Sequence, residues 1–315
     1  MMYYPYIRGK QFDLLALNEA LNRNVLSEKI QPIIEPVKDS ATIKKTIRLF
    51  QEKNHPLYVI QNPQVGQYKR FEKPVHTWDF IQDNAVKPAR IVTAENAYES
   101  LGLAMPCYVF DSDQPLRQPS MLQKFAELDG VKLIPDQSRF RIWFPENKII
   151  LHDAFHLPSS SDYWVKSDDF YSDHHLYYKE DGYAGFADFT IDDQIYSDKG
   201  FPSKAITIHL TYFDAYGNIR VKHFFSESND GWGNQADKFF EALDKLVLWT
   251  RRNADQLLIT EGLQELLYYQ TMRKFPGLGS IKKWSLLHHL ELVSAYLEEG
   301  RKWKKRSKNQ FSLAE

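Results

Sequence analysis

The stretch YYPYIRGKQFDLLALNEAL at residues 3–21, followed by IQPIIEPVK at 30–38, decides the fold. Its first run is aromatic and β-branched and ends at Arg8 and Gly9. The next residues place Phe12, Leu15 and Leu21 on one helical stripe, and the second run is again strand-like. Strand, amphipathic helix and strand in close succession form a βα unit, whose two strands lie parallel because the helix carries the chain back.

Outward from this unit the pattern continues. Strand runs begin at Tyr4, Ile30, Leu57, Arg90, Cys107, Val131, Lys148 and Gly185, which makes eight. Eight alternations match a (β/α)8 barrel, whereas a doubly wound sheet commonly stops at about five to seven strands. The expected class is therefore α/β, a (β/α)8-like barrel with an added β-hairpin and C-terminal helices. Helices are predicted over 11–22, 41–52 with Asp39 or Ser40 as cap, 78–84, 94–104, and 120–129 between Ser120 and Gly130. The segment 137–147 shows no clear helix and reads as an extra strand. Residues 158–182, rich in Ser, Asp and Tyr, read as an insertion long enough for a lid or binding loop. AITIHLTYF at 205–213 and NIRVKHFFS at 218–226 form a hairpin, either strand of which is an alternative to the run at 185–190 as the eighth. Helices follow over 234–252, 254–274 and 280–302. Two regions result: a barrel-like domain over 1–252 with the insertion and the hairpin, and a helical extension over 253–315 with a basic tail.

Composition narrows the function classes. Lys and Arg total 40 against 41 Asp and Glu, so no global field draws the chain to nucleic acid or an anionic membrane. The 43% hydrophobic content excludes a disordered chain, and no apolar run is long enough to span a bilayer. The N-terminus lacks a signal-peptide layout, and a cytoplasmic location is expected. A single cysteine, Cys107, allows neither an intrachain disulfide nor a Cys-rich zinc site. GxGxxG, GxxxxGK[ST] and GxSxG are all missing, which argues against P-loop and serine-hydrolase chemistry.

In a barrel, residues at the carboxyl ends of the strands converge on one mouth, where barrel enzymes keep their active sites. That set holds Arg8, Lys10, Glu35, Lys38, Gln61, Asn62, Asp111, Asp113, Asp136, His152, Asp153, His156 and Asp188. Grouped carboxylates with a nearby imidazole suit a divalent cation such as Mg²⁺ or Mn²⁺, with Glu35, Asp153 and Asp188 as ligands. The same three carboxylates, with His209 as a general base, are the candidate catalytic residues. Arg8, Lys10, Lys38 and Asn62 are candidates for holding an anionic substrate. Many strands end in polar residues for turn chemistry alone, and Arg8 and Glu35 on adjacent strands read equally well as a buried ion pair. His152 and His156 have the i, i+4 spacing of a metal pair without the Glu of HExxH. The adjacent pairs His174/His175 and His288/His289 suit surface or packing roles. The basic residues Arg301, Lys302, Lys304, Lys305 and Arg306, with Trp303 among them, are candidates for phosphate-backbone contact.

The opening block, together with GFADFTIDDQIY at 185–196, AITIHLTYF, VKHFFS at 221–226 and KFFEALDKL at 238–246, resembles the beta-protein-like family of bacterial and phage-associated proteins. The resemblance implies a barrel-like α/β fold and an association with mobile elements or phage-defence loci. It brings no reaction and no catalytic residues. Two functions follow as expectations: a metal-dependent enzyme acting on a phosphorylated substrate such as a nucleotide or nucleic acid, or a non-catalytic recognition subunit that holds a protein partner in a defence system.

Overall fold

A computed structural model describes residues 2–71, 84–97, 106–155, 167–192, 196, 204–229 and 231–300. The expected helix at 78–84 lies outside these residues except for Asn84, which is not helical, and that at 94–104 except for 94–97, which form a turn. His156, the start of the insertion and the whole tail from Arg301 also lie outside them.

The chain forms two compact units. The first contains residues 1–14, 28–154 and 177–190, and the second 15–27, 155–176 and 191–315. The boundary expected at residue 252 falls inside the second.

The first unit is a closed barrel of eight parallel strands, and all eight expected runs supply one each. They are β1 (Tyr3–Arg8), β2 (Ile33–Glu35), β3 (Leu57–Ile60), β4 (Val86–Ile91), β5 (Cys107–Val109), β6 (Val131–Pro135), β7 (Lys148–His152) and, after one strand of the other unit, β9 (Gly185–Asp188). β9 pairs with both β7 and β1 and closes the ring, so neither hairpin strand is the eighth. Tyr4, Tyr6, Ile33, Tyr58, Ile60, Ala89, Ile91, Cys107, Val109, Leu133, Ile149, Ala187 and Phe189 pack as one cluster. These are alternate residues from every strand, so they fill the barrel interior.

Helices α1 (Gln11–Asn22) and α2 (Ala41–Glu52) lie where periodicity puts them, and Ser40 Oγ accepts the Ile43 N–H to cap α2. Periodicity misses the short α3 (Gly66–Phe71). Gly66 has φ of 62°, and a Cβ there would lie 2.1 Å from the Val37 carbonyl oxygen, so only glycine fits this approach to the β2 loop. α4 (Pro119–Glu127) is preceded by Gln118, and Pro119 rather than Ser120 begins it. The segment expected as an extra strand contains α5 (Ser138–Trp143). Phe140 and Phe144 are both fully buried while Ile142 between them is 79% exposed, which is helical spacing and not strand alternation.

The second unit contains a three-stranded antiparallel sheet of order β10-β11-β8. The hairpin β10 (Thr207–Phe213) and β11 (Ile219–Phe225) is as expected. Its third strand, β8 (Asp168–Ser172), comes from the segment expected as a lid and is followed by the single turn α6 (His174–Tyr177). Among the described residues, the helices α7 (Gln235–Arg252), α8 (Glu261–Met272) and α9 (Leu278–Glu299) accompany the sheet. No helix among the described residues is long and apolar enough to cross a membrane.

α8 and α9 approach to backbone contact at Gly262, where a Cβ would lie 2.5 Å from the His288 nitrogen and 2.5 Å from the Trp284 carbonyl oxygen. Alanine has the better helix propensity by about 1 kcal/mol. Against this, overpacking costs about 1–3 kcal/mol, and neither contact can yield because both atoms belong to the α9 backbone. Gly262→Ala is therefore expected to destabilise the protein in urea unfolding. A variant as stable as the parent would show that the helices separate freely.

Candidate functional site

The apolar filling of the barrel ends, at its carboxyl side, in an ionic cluster. Arg8 and Glu35 continue the inward-facing sets of β1 and β2 by the two-residue period, after Tyr6 and Ile33. Their Cα atoms are direct register partners, and their side chains form a salt bridge at 10% and 0% exposure. Glu35 has more partners than this. Its Oε2 accepts the Tyr6 hydroxyl at 2.6 Å, and its Oε1 accepts the Gln64 N–H at 2.7 Å. Three donors thus occupy two carboxylate oxygens, as a buried anion requires.

Two aromatic rings lie together on one side of Arg8. Its guanidinium carbon lies 5.1 Å from the Tyr6 ring centre and 5.7 Å from that of Phe189, and the two rings lie 5.0 Å apart. Both distances are within cation–π range. Burial pushes the Tyr6 hydroxyl up, with Arg8 drawing it down and Asp111 raising it further. Tyr6 therefore stays a protonated donor to Glu35. Asp111, exposed at the end of β5, is the other charge that this cluster senses.

Phe189 is placed by a strained turn. Thr190, a buried β-branched residue, has φ of 59°, a conformation that L side chains rarely adopt. Asp188 holds it there, since its Oδ1 accepts the Thr190 N–H at 2.9 Å and the Tyr3 hydroxyl at 2.6 Å. Asp188 alternates with the inward Ala187 and Phe189, so it faces the outside of the barrel beside Tyr3.

That alternation places the three expected metal ligands on different faces of their strands. Glu35 and Asp153 belong to inward-facing sets, whereas Asp188 and His152, register partners, belong to the outward one. Among the described residues no group of three or more His, Cys, Asp or Glu side chains is placed to hold a metal ion. Glu35 is paired with Arg8, and Asp188 holds the turn that follows Phe189.

The other candidates separate by environment. Asn62 accepts the Ile91 N–H at 2.9 Å and donates to the Ile91 oxygen at 2.8 Å, extending the β3–β4 ladder. The Lys10 carbonyl accepts the Leu14 N–H at the start of α1, and Lys38 is exposed. Asp113 and Asp136 are taken by Arg117, Arg139 and Arg141. His209 is not a barrel residue. It lies on β10 in the second unit, with its Nδ1 2.7 Å from that of His223, and burial pushes its pKa down to about 3.

Sequence reasoning missed Tyr6, Gln64, Phe189 and Thr190. For Tyr6 a signal existed, since it stands two residues before Arg8 on the same strand face. Gln64 gives only its backbone, and the φ of Thr190 leaves no trace in composition. No family model, curated protein or solved structure matches the chain.

Proposed function

We propose that the barrel binds a small phosphate-bearing substrate at its carboxyl-terminal mouth, with Arg8 as the anion contact. The observation that carries this reading is the cluster of Arg8, Glu35 and Tyr6 at the end of an otherwise apolar barrel interior. An ion pair buried there adds little net stability over apolar residues of similar volume, so stability alone gives no reason for its placement. Arg8 has five donors in a planar fork, and the rings of Tyr6 and Phe189 pack beside it before any ligand arrives. Lys10 and Lys38 follow the same two strands and add positive charge along that side. A divalent ion in such chemistry would enter with the substrate phosphate, because the described carboxylates do not converge to hold one.

The reading is tested with pyrophosphate as the probe, by titration calorimetry. Arg8→Lys retains the charge and loses the fork, and is expected to weaken binding about tenfold or more with little change in melting temperature. Unchanged affinity in a folded Arg8→Lys protein would refute the assignment.

A further inference from the structure

A second site lies on the outer layer of the barrel unit. A cavity of about 460 Å³ opens between the loop after β5, α4 and α5. That volume is within the range of small-molecule sites, roughly 300–1,000 Å³. It is built entirely from residues 113–143, apart from the barrel mouth cluster.

Two kinds of wall meet in it. Arg117, just before α4, and Arg139, in the first turn of α5, converge on Asp113. Two guanidinium groups against one carboxylate leave a net positive charge. Each arginine donates to a different oxygen of Asp113, so each fork retains donors beyond those used. Such paired forks match phosphate, which takes two N–H donors from one guanidinium. Leu116, Pro119 and Leu122 supply an apolar wall, and Trp143 supplies a ring. The half-buried Trp143 is braced edge-on by the fully buried Phe140 at 5.6 Å between ring centres. Phe140 belongs in turn to an aromatic layer with Phe110 and Phe144. An indole fixed from behind and open to a cavity is a preorganised stacking surface.

We propose that this cavity binds a ligand that joins a flat ring to a phosphate, of the nucleoside monophosphate class, with Trp143 on the ring and Arg117 and Arg139 on the phosphate. Neither wall alone accounts for the site. Phosphate alone would not use the indole and the three apolar side chains, and an apolar ligand would not use two arginines. Asp113 is 17% exposed and holds the two forks apart at a fixed spacing.

The test uses the full chain and three probes in calorimetry: adenosine 5′-monophosphate, adenosine and inorganic phosphate. The nucleotide is expected to bind at least tenfold more tightly than either part. Arg117 and Arg139 are 70% and 55% exposed, so the double variant Arg117→Gln/Arg139→Gln should fold. It is expected to weaken the nucleotide tenfold or more. Trp143→Ala should weaken the nucleotide by a similar factor and leave phosphate binding unchanged, since base stacking on an indole is worth that order. If Trp143→Ala misfolds, Trp143→Leu retains bulk without the aromatic face. Failure of the nucleotide to bind at millimolar concentration would overturn the proposal, as would equal affinity for nucleotide and phosphate. Loss of nucleotide binding in Arg8→Lys but not in the double variant would also overturn it and place the ligand in the barrel mouth.

Discussion

Glu35→Ala should lower the unfolding free energy by about 3–5 kcal/mol, the usual cost of stranding one partner of a buried ion pair. Three groups lose their acceptor at once: the Arg8 guanidinium, the Tyr6 hydroxyl and the Gln64 N–H. Arg8 is 10% exposed and cannot recover its hydration without opening the mouth. Glu35→Gln exchanges one carboxylate oxygen for an amide nitrogen at nearly the same volume, so it keeps one acceptor and removes the charge. Its loss should therefore be smaller. The order parent, Gln, Ala in guanidinium unfolding checks the argument. Equal stability of Ala and parent would mean that Arg8 finds solvent readily, and the pair would then fix nothing.

Acidification should destabilise the second unit by several kcal/mol between pH 6.5 and about 4. His288 and His289 are buried on α9, and burial pushes their pKa values down to about 4 and about 3. His288 is bonded at both ring nitrogens, with the Thr260 hydroxyl at 2.7 Å and the Thr211 carbonyl oxygen at 2.7 Å. Its ring therefore donates to the carbonyl, accepts from the hydroxyl and is neutral. His209, down to about 3 through burial, meets His223 Nδ1 to Nδ1, so one ring must donate and the other accept. In the unfolded chain the same rings titrate near 6.5. As pH falls below 6.5 the unfolded state binds protons that the folded state refuses, and stability drops with pH until the folded values are reached.

Glu291 opposes this trend. Burial raises it to about 7, against the Glu261 N–H that lowers it, with the Glu261 carboxylate raising it and Arg23 lowering it, so between pH 7 and 4.5 the folded state takes up a proton first and gains stability. A tenfold difference in proton affinity between the folded and unfolded states is worth about 1.4 kcal/mol at most. Four histidines held below their unfolded values, His209, His223, His288 and His289, outweigh one glutamate held above its own, and the net sign is loss. Melting temperature measured from pH 7.5 to pH 4 checks it. A flat or rising profile would mean that the histidines exchange with solvent.

The barrel was legible because its signal is local and repeated. Each strand run is a few β-branched or aromatic residues, each connection is long enough to return the chain, and closure follows from their number. The site was legible only at Arg8 and Glu35, which stand at the carboxyl ends of consecutive strands and so must be neighbours. The failures have a common form. In α5 the run Phe140, Ile142, Phe144 alternates like a strand, and only the buried aromatic layer shows that Ile142 points away. The segment expected as a lid supplies β8, whose partner β11 begins 47 residues later at Ile219, a separation that no window over the sequence bridges.

Alternation along a strand states that residues two apart share a face, which is the signal for Tyr6 beside Arg8 that the sequence reading missed. It does not state which face is inside. For Asp188 that choice turned on the register of β9 against β1, where Tyr3 pairs with Phe186 and Pro5 with Asp188. A shift of one residue would have placed the carboxylate in the mouth and Phe189 outside. Residue type and spacing therefore determined the number of barrel strands and the Arg8–Glu35 pairing, while the identity of the eighth strand waited on the pairing of β9 with β7 and β1. The orientation of Asp188, the strained turn at Thr190 and the convergence of Arg117 and Arg139 depend on contacts between distant segments, and the tertiary structure alone decided them.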